Sequence, residues 1–158
     1  MKSFEEIFDL LRSQKKKRLV AAWAVDDHTI NAVYKAIELG IVDGILVGNK
    51  VQIEAVCHEE GIDPSVFTIV HIDQELAAVA HAVEMVRNKE GDILMKGQCS
   101  TDKYMRAILN KEKGLLPPKA VLSHVSVLSH PNYPKFMIIS DMAVIPALDL
   151  NQKVAIAK

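Results

Sequence analysis

Apolar residues fall along this chain in two alternating rhythms. Short continuous runs, RLVAAWAV over 18–25, DGILVG over 43–48, FTIVHI over 67–72 and DILMKG over 92–97, are bounded by Gly, acidic or polar residues. Runs this short and rich in branched side chains predict buried strands. Between them the apolar positions recur at helical spacing, as at Leu76, Ala80, Val83 and Val86. Ser3 followed by Glu6 predicts a capping box that opens a first helix with Phe4, Ile7, Phe8 and Leu11 on one side. Asp26 or Asp27, Asn49 and Asp73 are placed to cap the helices after the first three strands. Gly40 and Gly61 end two of these, and Ser100 or Thr101 begins the helix after the fourth strand. Strand followed by helix, four times over, predicts a parallel sheet covered on both faces.

After Gly114 the rhythm changes. AVLSHVSVL over 120–128 and KFMIIS over 135–140 are two strands joined by the short turn SHPNYP, a spacing that predicts an antiparallel hairpin. The expected fold is therefore α/β: a three-layer sandwich with a mixed, mainly parallel sheet flanked by helices, in a single domain over 1–158. The final segment, ALDLNQKVAIAK, opens a helix with Asp149 as its cap and carries no stop signal. We expect the chain to continue in a longer parent protein.

Composition narrows the function classes. Hydrophobic residues make up 49% and aromatics only 5%, which suits buried parallel strands and helix faces. A formal net charge of −1 provides no global field for nucleic acid, and Lys15-Lys16-Lys17-Arg18 reads as a solvated helix end. Cys57 and Cys99 form no CxxC pair, and His28, His58, His71 and His81 show no ligand spacing, so neither a disulfide framework nor a metal site is expected. Acids interrupt the N-terminal segment, where a signal peptide needs an apolar stretch, and no run reaches bilayer length. The expected location is the cytoplasm.

In open parallel sheets, ligands collect beyond the carboxyl ends of the strands, where helix N-termini point free N–H groups. Four segments end there: Val25-Asp26-Asp27, Val47-Gly48-Asn49, Ile72-Asp73, and Lys96-Gly97-Gln98-Cys99-Ser100-Thr101. In the last, a cation closes an apolar strand and Gly97 lets the backbone approach a ligand. Ser100 and Thr101 supply hydroxyls at a helix start, and Arg106 follows about one and a half turns on. These residues describe a phosphate cradle; a solvated lysine followed by an ordinary Ser/Thr cap has the same composition. The GxxxxGK[ST] spacing of a Walker loop is absent. Cys99, at a helix start beside Lys96, could be an activated thiol accepting an acyl group, or a small buried side chain.

Four strings, AIELGIVDGILVGN, DILMKGQCSTDKYMRAIL, VLSHVSVL and MIISDMAVIPALDLNQK, occur in this order. Together they resemble the phosphate acetyl/butyryltransferase family, and within it the phosphate butyryltransferase branch, from about residue 18 to the end. The resemblance implies interconversion of butyryl-CoA plus phosphate with butyryl phosphate plus CoA. It further implies two α/β domains of the isocitrate/isopropylmalate dehydrogenase-like fold, a site in the cleft between them, and homo-oligomers. No cofactor or metal is implied, coenzyme A entering as a thioester substrate. By match to the family motifs, Lys96, Gly97, Ser100, Thr101 and Arg106 are expected to contact phosphate or acyl-CoA. Ser123, His124 and Asp141 are expected to line and orient the cleft, with Lys96, Arg106 and Asp141 the candidates for catalysis. The family pattern AVN after the aspartate departs here to Ala143-Val144-Ile145, preceded by Met142. The family's second half has no counterpart, so the chain is expected to be the first half of a two-domain enzyme and inactive alone. The alternative is a non-catalytic module that binds CoA or an acyl phosphate.

Overall fold

Residues 3–157 are described by a computed structural model. The four short apolar runs become β1 (Lys17–Ala22), β2 (Val42–Gly48), β3 (Thr68–His71) and β4 (Ile93–Lys96), paired in parallel in the order β3-β2-β1-β4. Central β1 pairs Leu19 to Ala22 with Gly44 to Val47 on one side and with Ile93 to Lys96 on the other. The intervening helices are α2 (Asp27–Glu38), α3 (Lys50–Glu59), α4 (Glu75–Arg87) and α5 (Thr101–Ile108), preceded by α1 (Phe4–Arg12).

Alternation along β1 sends its side chains into two cores. Val20 and Ala22 join Ile45, Val47, Ala78, Val79 and Ala82 under α4. Ala21 joins Leu46, Ile30, Val33, Ile53 and Cys57 under α2 and α3. Each fully buried Val, Leu or Ile contributes roughly 1.5–3 kcal/mol relative to exposure, so the two faces together hold the sheet between its helices. After β1, β2 and β4 capping follows the expected residues: Asp26 accepts from Thr29 N–H, Asn49 from Gln52 N–H and Ser100 from Lys103 N–H. It fails at Asp73. The N-cap of α4 is Gln74, and Asp73 Oδ1 instead accepts from Asn49 Nδ2 at 2.8 Å, joining the ends of β2 and β3.

At the opposite, amino end of the sheet, Asp92 accepts from Arg18 N–H at 2.8 Å and from Arg18 Nε at 3.1 Å. These bonds hold its carboxyl down, from 3.8 to about 2. A carboxylate whose pKa falls on folding stabilises the native state above its unfolded value, and that contribution is lost as pH drops through the native one. Stability should decline between about pH 4 and pH 2, and Asp92→Asn should flatten part of that decline, as urea midpoints across the window will test.

Two compact units can be distinguished. The larger runs from Leu11 to Leu115; the smaller combines the N-terminal residues through Leu10 with Leu116 onward. In the smaller unit β5 (Ser126–His130) and β6 (Tyr133–Ile139) form an antiparallel hairpin, with Val127 opposite Ile138 and Leu128 opposite Met137. Phe4 and Phe136 stack obliquely, ring centroids 5.2 Å apart. Asp149 caps α6 (Leu150–Ala157), accepting from Gln152 N–H while Gln152 Oε1 accepts from Asp149 N–H.

The hairpin corrects the expectation of one mixed sheet. It pairs only with itself, as a separate two-stranded sheet among the described residues. Most of its side chains are exposed on both sides, unlike those of β1 and β2, which a doubly covered sheet requires. Strand β5 also starts later than its apolar run, and ahead of it the His124 carbonyl accepts from the Ser140 hydroxyl. No helix among the described residues is long and apolar enough to cross a membrane.

Candidate functional site

Strands β1 and β4 are neighbours, yet the chain leaves them toward opposite faces of the sheet. From β1 it enters α2, on the face with Ile30 and Val33. From β4 it enters α5, whose Tyr104 and Ala107 pack on the other face. Such a reversal opens a crevice beyond the carboxyl ends of the two strands. Lys96 is the last residue of β4, at this point.

The loop after Lys96 is lashed to the end of β1. Gly97 N–H donates to the Ala22 carbonyl at 2.9 Å and Gln98 N–H to the Trp23 carbonyl at 3.0 Å. The approach is so close that a Cβ on Gly97 would lie 2.4 Å from the Trp23 oxygen and 2.7 Å from that of Ala22. Trp23 itself has φ 57°, left-handed backbone that a bulky side chain rarely adopts. Strain of this kind gathers where the surrounding structure holds a site in shape.

Helix α5 is anchored by Ser100, whose hydroxyl accepts from Lys103 N–H at 3.3 Å. Ser100 N–H donates to Glu75 Oε1 at 3.0 Å, and the other Glu75 oxygen takes the Lys103 ammonium. The Lys103 hydrogen bond, with that of Ser100 N–H behind it, holds the Glu75 carboxyl below its ordinary range. The amides of Gly97, Gln98 and Ser100 are thus all spent on protein acceptors, and a ligand here meets side chains and the first turn of α5. Lys96 is exposed, its Nζ 3.4 Å from the Gly97 carbonyl. Thr101 is exposed beside it. Arg106 turns its Nε to Asp102, 3.0 Å away, with 80% of its side chain exposed. Arg106, Asp102 and Lys103 line one wall of an open groove of about 480 Å³, with Leu76, Val79 and Ala80 of α4 opposite.

Cys99 is 2% exposed, its Sγ 3.8 Å from the Ala22 carbonyl. Burial pushes its thiol pKa up, and Lys96 offsets only part of this. Burial and packing of this kind favour the small buried side chain over the acyl acceptor. One residue carries more than its sequence suggested. Asp26 caps α2 through Oδ1, but its Oδ2 is enclosed without a hydrogen-bond partner. Its place in a strand-end segment was legible in the sequence, but its position next to β4 follows only from the sheet order.

In the smaller unit, His124 and Asp141 hold the other two side-chain atoms enclosed without a partner among the described residues, His124 Nδ1 and Asp141 Oδ2. Asp141 Oδ1 accepts from Ala143 N–H at 2.8 Å and Val144 N–H at 2.9 Å. Burial raises the carboxyl, but the backbone donors together outweigh it and leave the pKa lowered. Ser123 is half-buried in the same segment as His124, which is tied to Ser140 next to Asp141. An ionised carboxylate with one unoccupied oxygen can orient a donor on a ligand. No cluster of three or more His, Cys, Asp or Glu among the described residues could hold a metal ion.

Residues 3–80 match the family model for phosphate acetyl/butaryl transferase. The chain is 34% identical over 156 residues to phosphate butyryltransferase of Clostridium acetobutylicum, covering 99% of this chain and 52% of that relative. It is 35% identical to phosphate acetyltransferase of Thermotoga maritima, covering 95% of this chain and 50% of the relative. The chain spans about half the length of the curated relatives it matches. A branched-chain phosphotransacylase from Enterococcus faecalis V583 superposes with a TM-score of 0.72 at 22% identity, over 89% of this chain and 48% of that one. At that identity the likeness is one of fold.

Proposed function

We propose that this chain, which resembles the phosphate acetyl/butyryltransferases over nearly its whole length, supplies half of the active site of a phosphate acyltransferase. The observation that carries the reading is the position of Lys96 and Gly97 at the β1/β4 reversal, immediately before the Ser100-capped start of α5. In this reading Lys96 neutralises the phosphate, with Thr101 and Arg106 as further donors. A phosphate oxygen bonds to the thioester carbonyl carbon, the C–S bond breaks, and CoA leaves as a thiolate that takes up a proton. The chemistry asks for placement and charge compensation, without a cofactor or a covalent enzyme intermediate.

Butyryl-CoA is the substrate we favour, from the branch motifs and the Clostridium acetobutylicum relative. We infer the first domain of an isocitrate/isopropylmalate dehydrogenase-like fold, a cytoplasmic location and a homo-oligomeric parent enzyme. Ser123, His124 and Asp141 are the candidates for substrate contact within the smaller unit. The test is phosphate-dependent thiol release from butyryl-CoA, run beside amide-shift titration of the same chain with inorganic phosphate. The expected result is phosphate-induced shifts at 96–102 with no thiol release. Turnover by these 158 residues alone would overturn the half-site claim, and silence of the 96–102 amides would overturn the anion site.

A further inference from the structure

The start of α5 already holds an anion of its own. Glu75, at the first turn of α4, takes the Ser100 N–H with one oxygen and the Lys103 ammonium with the other. Both partners are groups that an incoming phosphate could use, and both belong to the start of α5. Asp102 does the same for Arg106, but as an exposed pair within one helix, which water screens and side-chain motion readily breaks. The Glu75–Lys103 pair is different. It joins two helices and is partly buried, with 25% of the glutamate and 39% of the lysine side chain exposed.

We propose that Glu75 sets the affinity of the site for phosphate: it withholds Lys103 and Ser100 N–H from the ligand and leaves Lys96, with the exposed Arg106, to engage it. The proposal rests on the phosphate-site reading above. It makes Glu75 a specificity-determining residue that acts through Lys103 and opposes a second negative charge at the same helix start. A substrate that must dock, accept the acyl group and then depart as acyl phosphate is better served by moderate than by maximal ground-state binding.

The experiment is inorganic phosphate titration of the full chain at low ionic strength, read at the Gly97–Asp102 amides. Glu75→Gln keeps an acceptor for Ser100 N–H but releases Lys103, so phosphate should bind about fivefold or more tightly. Lys103→Gln alone should change affinity less than about twofold, because this ammonium is already neutralised. The double variant should lose the gain. Equal or weaker binding by Glu75→Gln, with wild type still responding, would overturn this inference alone. So would a large loss in Lys103→Gln, a reading that stands even if Glu75→Gln fails to fold. No response at these amides in wild type or in either variant would overturn the phosphate site itself, and with it the role of Glu75.

Discussion

Replacing Gly97 with alanine will cost the chain about 3 kcal/mol or more and abolish phosphate binding at the crevice. The added Cβ would stand 2.4 Å and 2.7 Å from two carbonyl oxygens of the β1 end. Those are backbone atoms, so no side-chain rotation relieves the contact. Relief requires β4 to part from β1, which breaks the bonds from Gly97 N–H to Ala22 and from Gln98 N–H to Trp23. Gly61 is the matched control. It has φ +68° but nothing within 4 Å of its Cβ position, so Gly61→Ala should cost about 1–2 kcal/mol of backbone strain and leave phosphate binding unchanged. Urea midpoints and phosphate titrations of both variants will separate loss of fold from loss of site.

Lys96→Ala will have the reverse profile, an unchanged thermal midpoint with phosphate affinity lowered about 30-fold, the worth of one charge-assisted contact of about 2 kcal/mol. The side chain is exposed, and its Nζ lies at the outer limit of a hydrogen bond to Gly97. Folding therefore gains little from it. Lys96→Arg, which keeps the charge but changes the donor geometry, should recover part of the affinity. The dependence on salt should weaken in Lys96→Ala, because a cation–phosphate contact is screened by ions. An Ala variant that binds phosphate as well as wild type does, judged by calorimetry, would remove Lys96 from the site.

Much of this architecture could be read from spacing alone. The four parallel strands, their intervening helices and the Asn49, Ser100 and Asp149 caps follow from local chemistry, since each depends on residues within one or two turns. What spacing could not supply was strand order. The β3-β2-β1-β4 arrangement arises from burial of both sheet faces, and only it reveals that Lys96 and Asp26 follow adjacent strands. Glu75 was missed for the same reason. It is 25 residues from Ser100 in sequence, and nothing in its neighbourhood distinguishes it from any acidic first turn. A helix start suggests free N–H groups, whereas Gly97 and Gln98 N–H are committed to the end of β1 and Ser100 N–H to Glu75 of α4. The mixed sheet failed because spacing predicts a hairpin but not what the hairpin pairs with, and β5 and β6 pair only with each other among the described residues.

The long span between β1 and β4 has a consequence for the order in which the chain assembles. Strands β1 and β2 are joined by one helix, and β2 and β3 by another, so their pairings close short loops. Leu19 must find Ile93, across most of the larger unit, before β4 is in place. Loop-closure entropy and the sequence separation of contacts both make that pairing the slow one. The β1-β2-β3 layer can therefore form before β4 arrives, and the crevice exists only once β4 has docked. A nascent or partly unfolded chain would hold a recognisable three-stranded sheet while having no place for phosphate, and ligand present during refolding would act on the last step alone.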